Sequence, residues 1–198
     1  MESKSRLQIL EKIRQNRPSE GPALPENIHF EPNFDDLALK FADTLGLIGG
    51  TAVFAPDFAF IAEDLRLVFP GAQQIVHGIA ALSLVGIHPE TITDPHDLAL
   101  ADLAILPGQL GVAESAAIWL DETNFGGHRV LPFIAQHLAI VLERKNLVHN
   151  LHAAYAQVNA AATGFGLWLA GPSKTADIEQ AMVIGAHGAR SLRVYLLG

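Results

Sequence analysis

The chain has 198 residues, of which 49% are apolar, no cysteine, and a formal net charge of −8. That length fits one domain, or one domain with a small N-terminal extension, and it buries roughly 70% of the unfolded-chain surface without needing a metal or disulfide. The acidic balance argues against non-specific nucleic-acid binding. The missing cysteines exclude disulfides, thiolate nucleophiles and Cys-ligated iron–sulfur or zinc centres in these residues, and no apolar run approaches the ~20 residues of a membrane span.

Met1-Glu2-Ser3-Lys4 leads into a mixed-charge helix rather than a signal peptide's apolar core, so a cytoplasmic location is the expectation. Leu7, Leu10 and Ile13 give an amphipathic helix over about residues 3–16. A proline-rich linker follows, from Arg17-Pro18 to Glu31-Pro32. Asn33 is placed to cap a second helix carrying Leu37, Phe41 and Leu45 on one face and stopping at Gly46. Residues 1–45 therefore read as an N-terminal helical arm, either a mobile appendage or an oligomer contact, and residues 46–198 as the main domain.

From Gly49 onward strands and helices alternate. Thr51 to Ala55 and Gln74 to His77 suit strands, and about 57–69 suits a helix with Phe58, Ile61, Leu65 and Val68 on one face. Leu103 to Leu106, Leu110 to Ala113 and Ala116 to Leu120 read as neighbouring strands joined by tight turns at Pro107-Gly108 and around Glu114-Ser115. Asn124 to His128 is a Gly-rich loop, and His137 to Leu142 is another strand. Val148, Leu151, Tyr155 and Val158 predict a helix from Leu147 to about Ala160. The chain closes with a strand (165–170), a helix (175–186) and a strand (192–197), a unit that implies parallel neighbours and a right-handed crossover. The pattern is α/β, layered around a mixed but largely parallel sheet.

The junction from Gly171 to Glu179 concentrates the candidate chemistry. Pro172 ends the strand, Ser173 or Thr175 caps the next helix, and Asp177 and Glu179 complement the dipole of its first turn. One reading makes this helix start an anion or carboxylate site with Lys174 and the hydroxyls as ligands; the other is a well-capped core helix. The two acids weigh against phosphate, and neither a Walker A loop nor a G-x-G-x-x-G fingerprint is present.

His187, between Gly185 and Gly188, serves equally as a C-terminal cap or as a catalytic group. Glu114, at a strand end, is placed either as a general base or nucleophile or as a solvated loop carboxylate. His137 lies in an apolar run, as a satisfied core histidine or a ligand contact. His149 and His152 are three apart on the expected helix, but spacing supplies no third ligand, so no metal site is expected. No G-x-S-x-G elbow supports a serine hydrolase.

The run Gly171-Pro172-Ser173-Lys174-Thr175-Ala176-Asp177-Ile178-Glu179, with Gly185-x-His187-Gly188 and the closing Leu192-Arg193-Val194-Tyr195-Leu196-Leu197, closely resembles the C-terminal signature of LUD-domain proteins, in particular the lactate utilization protein C family. Val112-Ala113-Glu114-Ser115-Ala116-Ala117 is similar to the family's A-E-T-G-T turn, and Leu131-Pro132 with His137 to its L-P…H-I pattern. Ser115-Ala116-Ala117 replaces Thr-Gly-Thr, the 121–129 loop lacks a frequent basic cluster, and Ala189 stands where proline is usual.

This resemblance implies a three-layer Rossmann-like fold of the NagB/RpiA/CoA-transferase class. It also implies an accessory, ligand-binding role in oxidising L-lactate to pyruvate beside separately encoded iron–sulfur proteins, which would hold the clusters. It supplies no catalytic residue. The site expected is one pocket with Gly171, Ser173, Lys174, Thr175, Asp177, Glu179 and His137 as ligand contacts and Glu114 and His187 as catalytic candidates. The alternative is a stand-alone enzyme acting on a small anionic or CoA-linked substrate through Glu114.

Overall fold

The computed structural model describes residues 4–18, 21, 23, 34–159, 164–175 and 183–198. Its contacts divide the chain into two units, Met1–Pro32 and Asn33–Gly198. In the first, α1 (Lys4–Gln15) is a helix with no buried residue.

The second unit opens with α2 (Leu37–Leu47). Asp36 caps it, accepting from the N–H groups of Ala38 at 2.8 Å and Leu39 at 3.0 Å; Asn33, the expected cap, lies outside the described residues. The helix runs one residue past Gly46 and turns out through Gly49 at φ +85°. Phe41 and Leu45 are fully buried in the core of this unit, so α2 belongs with it although composition suggests a boundary near residue 45.

The order continues β1 (Thr51–Ala55), α3 (Phe58–Val68), β2 (Ile75–His77), β3 (Leu103–Gly108), β4 (Leu110–Val112), β5 (Ala117–Asp121) and the short helix α4 (Leu131–Ile134). Then come β6 (His137–Glu143), β7 (Leu147–Val148), α5 (Leu151–Tyr155), β8 (Gly166–Leu169), β9 (Lys174–Thr175), β10 (Val183–Ile184) and β11 (Ser191–Leu197). Strands β1, β11, β6, β3 and β2 pair in that order, and every pair is parallel. The expected α/β architecture with a mostly parallel sheet is therefore present.

Both faces of this sheet are covered, which is why its strands read as near-continuous apolar runs. Leu103, Ile105, Ala139, Val141 and Tyr195 face α3, packing on Ile61, Ala62 and Leu65. Asp64 of α3 is tied to the sheet by two bonds from Arg193, at 2.7 and 3.0 Å, and one from the Tyr195 hydroxyl at 2.6 Å. Burial, then the bond to Asp64, holds the Tyr195 phenol above its ordinary range. Alternate residues, among them Ala104, Leu106, Leu138, Ile140, Leu192 and Val194, face α2 and the inner side of a second sheet. That sheet has the order β7-β4-β5-β8, with β4 and β8 both antiparallel to β5. Its outer side packs on α5 through Leu110, Val112, Trp119 and Ala154.

Three local expectations are corrected. The helix expected over 175–186 is not what its described ends form. Thr175 pairs antiparallel with Val183 and Lys174 with Ile184, the Gly185 N–H bonds the Ser173 carbonyl at 2.9 Å, and Gly185 takes φ +76°. Residues 176–182, including Asp177 and Glu179, lie outside the described residues. The strand at 165–170 is not a parallel neighbour of the last strand: β8 belongs to the second sheet, where Trp168 sits opposite Trp119. The helix expected over 147–160 is a two-residue strand followed by a five-residue helix. Val148, Leu151 and Val158 all pack on the outer side of the second sheet, so their spacing imitates one continuous helical face.

Candidate functional site

The two halves of the signature meet through backbone. The Ser173 N–H donates to the Ala189 carbonyl at 3.1 Å, and β9 pairs with β10 on the other side of Ser173. Two glycines are closely packed here, Gly188 against the other half of the signature and Gly171 against the end of α2. Gly171 sits at φ +76°, where a Cβ would lie 3.0 Å from the Ile48 carbonyl oxygen; at Gly188 a Cβ would lie 3.0 Å from Cβ of Ser173. A side chain at Gly171 would meet both conformational strain and a steric conflict.

Together these loops form part of the wall of a cleft of about 290 Å³. Its floor is apolar, with Leu138 from the amino end of β6, Leu192 from the amino end of β11 and Leu169 from the carboxyl end of β8. Phe133 of α4 adds a further wall, and the polar groups are Ser173, Lys174 and His187. Lys174 and His187 are exposed, Ser173 half-buried, and Gly171 and Pro172 buried. The cleft thus opens at the amino edge of the parallel sheet, opposite the edge where open α/β proteins ordinarily bind ligands. An apolar floor under a cationic lip suits a small anion with a hydrocarbon end.

Of the candidate residues, the cleft gathers Gly171, Ser173, Lys174 and His187. Thr175 adjoins it in β9. His187 follows β10 and Gly185 rather than ending a helix. His137 lies one residue before Leu138 on β6 and so projects from the opposite face of the sheet. There its Nδ1 is 2.8 Å from the Ser191 hydroxyl and its ring packs on Phe69 at 5.0 Å. Burial pushes the His137 imidazole below its ordinary range, Arg190 adds to this, and Asp102 opposes it. Glu114 is exposed in the β4–β5 turn, where its Oε1 accepts from the Leu151 N–H at 3.3 Å, at the start of the helix α5 that Asn150 caps. It is not among the residues lining the cleft.

Sequence reasoning missed Phe133, Leu138, Trp168 and Leu192 as wall residues, because each reads as ordinary core. The available signal was position: Phe133 follows the Leu131-Pro132 pair already noted, and Leu192 opens the terminal strand.

Residues 93–197, more than half of the chain, match the family model of the LUD domain. Lactate utilization protein C of Deinococcus radiodurans is 32% identical over 104 residues, which make up 52% of this chain and 49% of that protein. The chain therefore spans about half the length of the curated relative it matches. A crystal structure of a DUF162 family protein from Deinococcus radiodurans superposes with a TM-score of 0.64 at 20% identity, covering 82% of this chain and 96% of that one, which shows a shared fold.

Proposed function

Because the chain belongs to the LUD domain family, we propose that it is an accessory, ligand-binding component in the oxidation of L-lactate to pyruvate. Its partners in this reading are iron–sulfur proteins of the same system. The observation that carries the proposal is that four residues of the family-like signature, Gly171, Ser173, Lys174 and His187, line one cleft. Lys174 supplies a positive charge for a carboxylate, and the leucine-lined floor accepts the small hydrocarbon part of the ligand. Lactate oxidation releases two electrons and two protons. These 198 residues contain no thiolate to hold a cluster, so the electron carriers are assigned to the partners. Glu114, exposed and outside the residues lining the cleft, gives the stand-alone enzyme reading no support from geometry.

Reconstitution tests this role. Lactate-dependent dye reduction by the cognate iron–sulfur proteins should fall about tenfold or more without this chain, and a Lys174→Ala/His187→Ala variant should restore it only in part, as expected for loss of about 1.4 kcal/mol of binding. A full rate without the chain overturns the proposal.

A further inference from the structure

Strand β8 is an edge strand: in the order β7-β4-β5-β8 it pairs with β5 and with no further strand among the described residues. Antiparallel partners exchange both hydrogen bonds at every second pair. The Glu122 N–H donates to the Phe165 carbonyl at 3.1 Å, which fixes the alternation. Phe165, Leu167 and Leu169 bond toward β5, and Gly166 and Trp168 turn their N–H and C=O groups to the open edge. Those two groups of Trp168 have no partner among the described residues. Unpaired edge groups of this kind are the template on which a further strand adds.

The cleft described above runs along this open edge. Four consecutive residues, Leu167 to Ala170, line it, where a wall made by one face of a strand would show alternate residues only. Leu167 and Leu169 lean to the inner side, onto the core that holds Leu138 and Leu192, while Trp168 turns outward onto Trp119. A strand laid in register against this edge presents alternate side chains to the same two sides.

The positive charge of the cleft sits at the carboxyl end of β8. A Cβ on Gly171 would come within 2.6 Å of the Lys174 Nζ, so the ammonium lies over the turn that follows the strand. No aspartate or glutamate is among the described lining residues. The cleft, at about 290 Å³, has roughly twice the ~150 Å³ in which an apolar cavity holds benzene. That is room for one branched aliphatic side chain with a carboxylate and an amide beside it.

We propose that this cleft docks the C-terminal tail of a partner polypeptide, which adds to β8 as a parallel strand. Parallel pairing gives the Trp168 N–H to the carbonyl of the third-last residue and the Trp168 carbonyl to the N–H of the last. The last residue then lies opposite Leu169. Its side chain points at Leu138 and Leu192 and must be apolar, and its carboxylate reaches the Lys174 ammonium. A small acid satisfies the charge and the floor but leaves the edge of β8 unpaired, which favours the peptide. The docking deepens the accessory role by naming how a partner attaches, and it rests on that reading for taking this cleft as a binding site.

Titration of the full chain, read by backbone amide NMR shifts, tests this with four probes. They are N-acetyl-alanyl-alanyl-leucine, its C-terminal amide, its ester analogue lacking the last N–H, and 4-methylpentanoate. The peptide acid should shift the Trp168 amide. It should bind about tenfold more tightly than the amide, as loss of one charge-assisted bond predicts, and about tenfold more tightly than 4-methylpentanoate, which lacks both edge bonds. The ester analogue should bind about threefold to tenfold more weakly than the peptide. Lys174→Ala, at an exposed position, should lower binding of the acid to that of the amide.

Equal binding of acid and amide, or of peptide and ester analogue, overturns the docking, as does a Trp168 amide that no probe moves. 4-Methylpentanoate binding as tightly as the peptide also overturns it, and favours a small acid in the cleft. If reconstitution needs the chain but the peptide does not bind, the accessory role stands and the docking falls. Peptide binding by a chain that reconstitution does not need leaves the docking standing without the role.

Discussion

Ala116 holds φ +53° in the turn between β4 and β5, with its methyl group fully buried in the core. The left-handed conformation costs an L-residue about 1–2 kcal/mol, which glycine does not pay. Replacing Ala116 by glycine recovers that strain, forfeits about 0.8 kcal/mol of methyl burial, and returns about 0.4–1 kcal/mol of conformational freedom to the unfolded chain. The three effects nearly cancel, so Ala116→Gly should lie within about 1 kcal/mol of the parent. Ala104 is the control: it is equally buried but sits inside β3 without a positive φ. Ala104→Gly loses the methyl and gains chain freedom with no relief, costing about 1.2–1.8 kcal/mol before any cavity cost. Urea unfolding of both variants should therefore separate them by about 1–2 kcal/mol, the strain itself, since the other contributions are shared. Equal destabilisation at the two positions would refute the claim that Ala116 is strained.

Gly171→Ala combines left-handed strain with a Cβ 3.0 Å from the Ile48 carbonyl oxygen, so it should cost about 2 kcal/mol or more in urea unfolding, and a loss under about 0.5 kcal/mol would show that the loop simply yields. His137 gives a pH signature. Because its folded-state value is depressed, the unfolded chain takes up the proton first; the contribution to stability is complete above the unfolded value of about 6.5 and is lost as pH falls through it toward the folded value. Stability measured from about pH 8 down to about pH 5 should decline less steeply in His137→Asn than in the parent, and identical slopes would show that this imidazole is not responsible.

The central strands were legible because burial on both faces removes polar alternation. Leu103 to Leu106 and His137 to Leu142 could hardly be anything else once their length favoured strands over helices. The signature was misread for a complementary reason. Gly-Pro followed by hydroxyl and acidic residues satisfies every local rule for a helix start. What decides the structure at Ser173 is its pairing with Ala189 on one side and the β9–β10 contact on the other, partners about ten or more residues away that no capping rule includes. The turn at Glu114 shows the same division. The replacement of glycine by Ala116 was visible in the sequence, but its cost became visible only through a backbone angle.

These cases bear on how the family signature should be interpreted. Gly171 is packed against the Ile48 carbonyl and Gly188 against Ser173, and Pro172 is buried, so much of the signature is explained by how the loops pack. The groups left over for chemistry at that edge are Ser173, Lys174 and His187, none joined to another by a hydrogen bond among the described residues, an arrangement suited to holding a ligand more than to moving its protons. A strong motif and a reactive site are thus separate questions in this fold. The motif marks where the chain must pack in one way, whereas a ligand has to be argued from the groups that line a cleft.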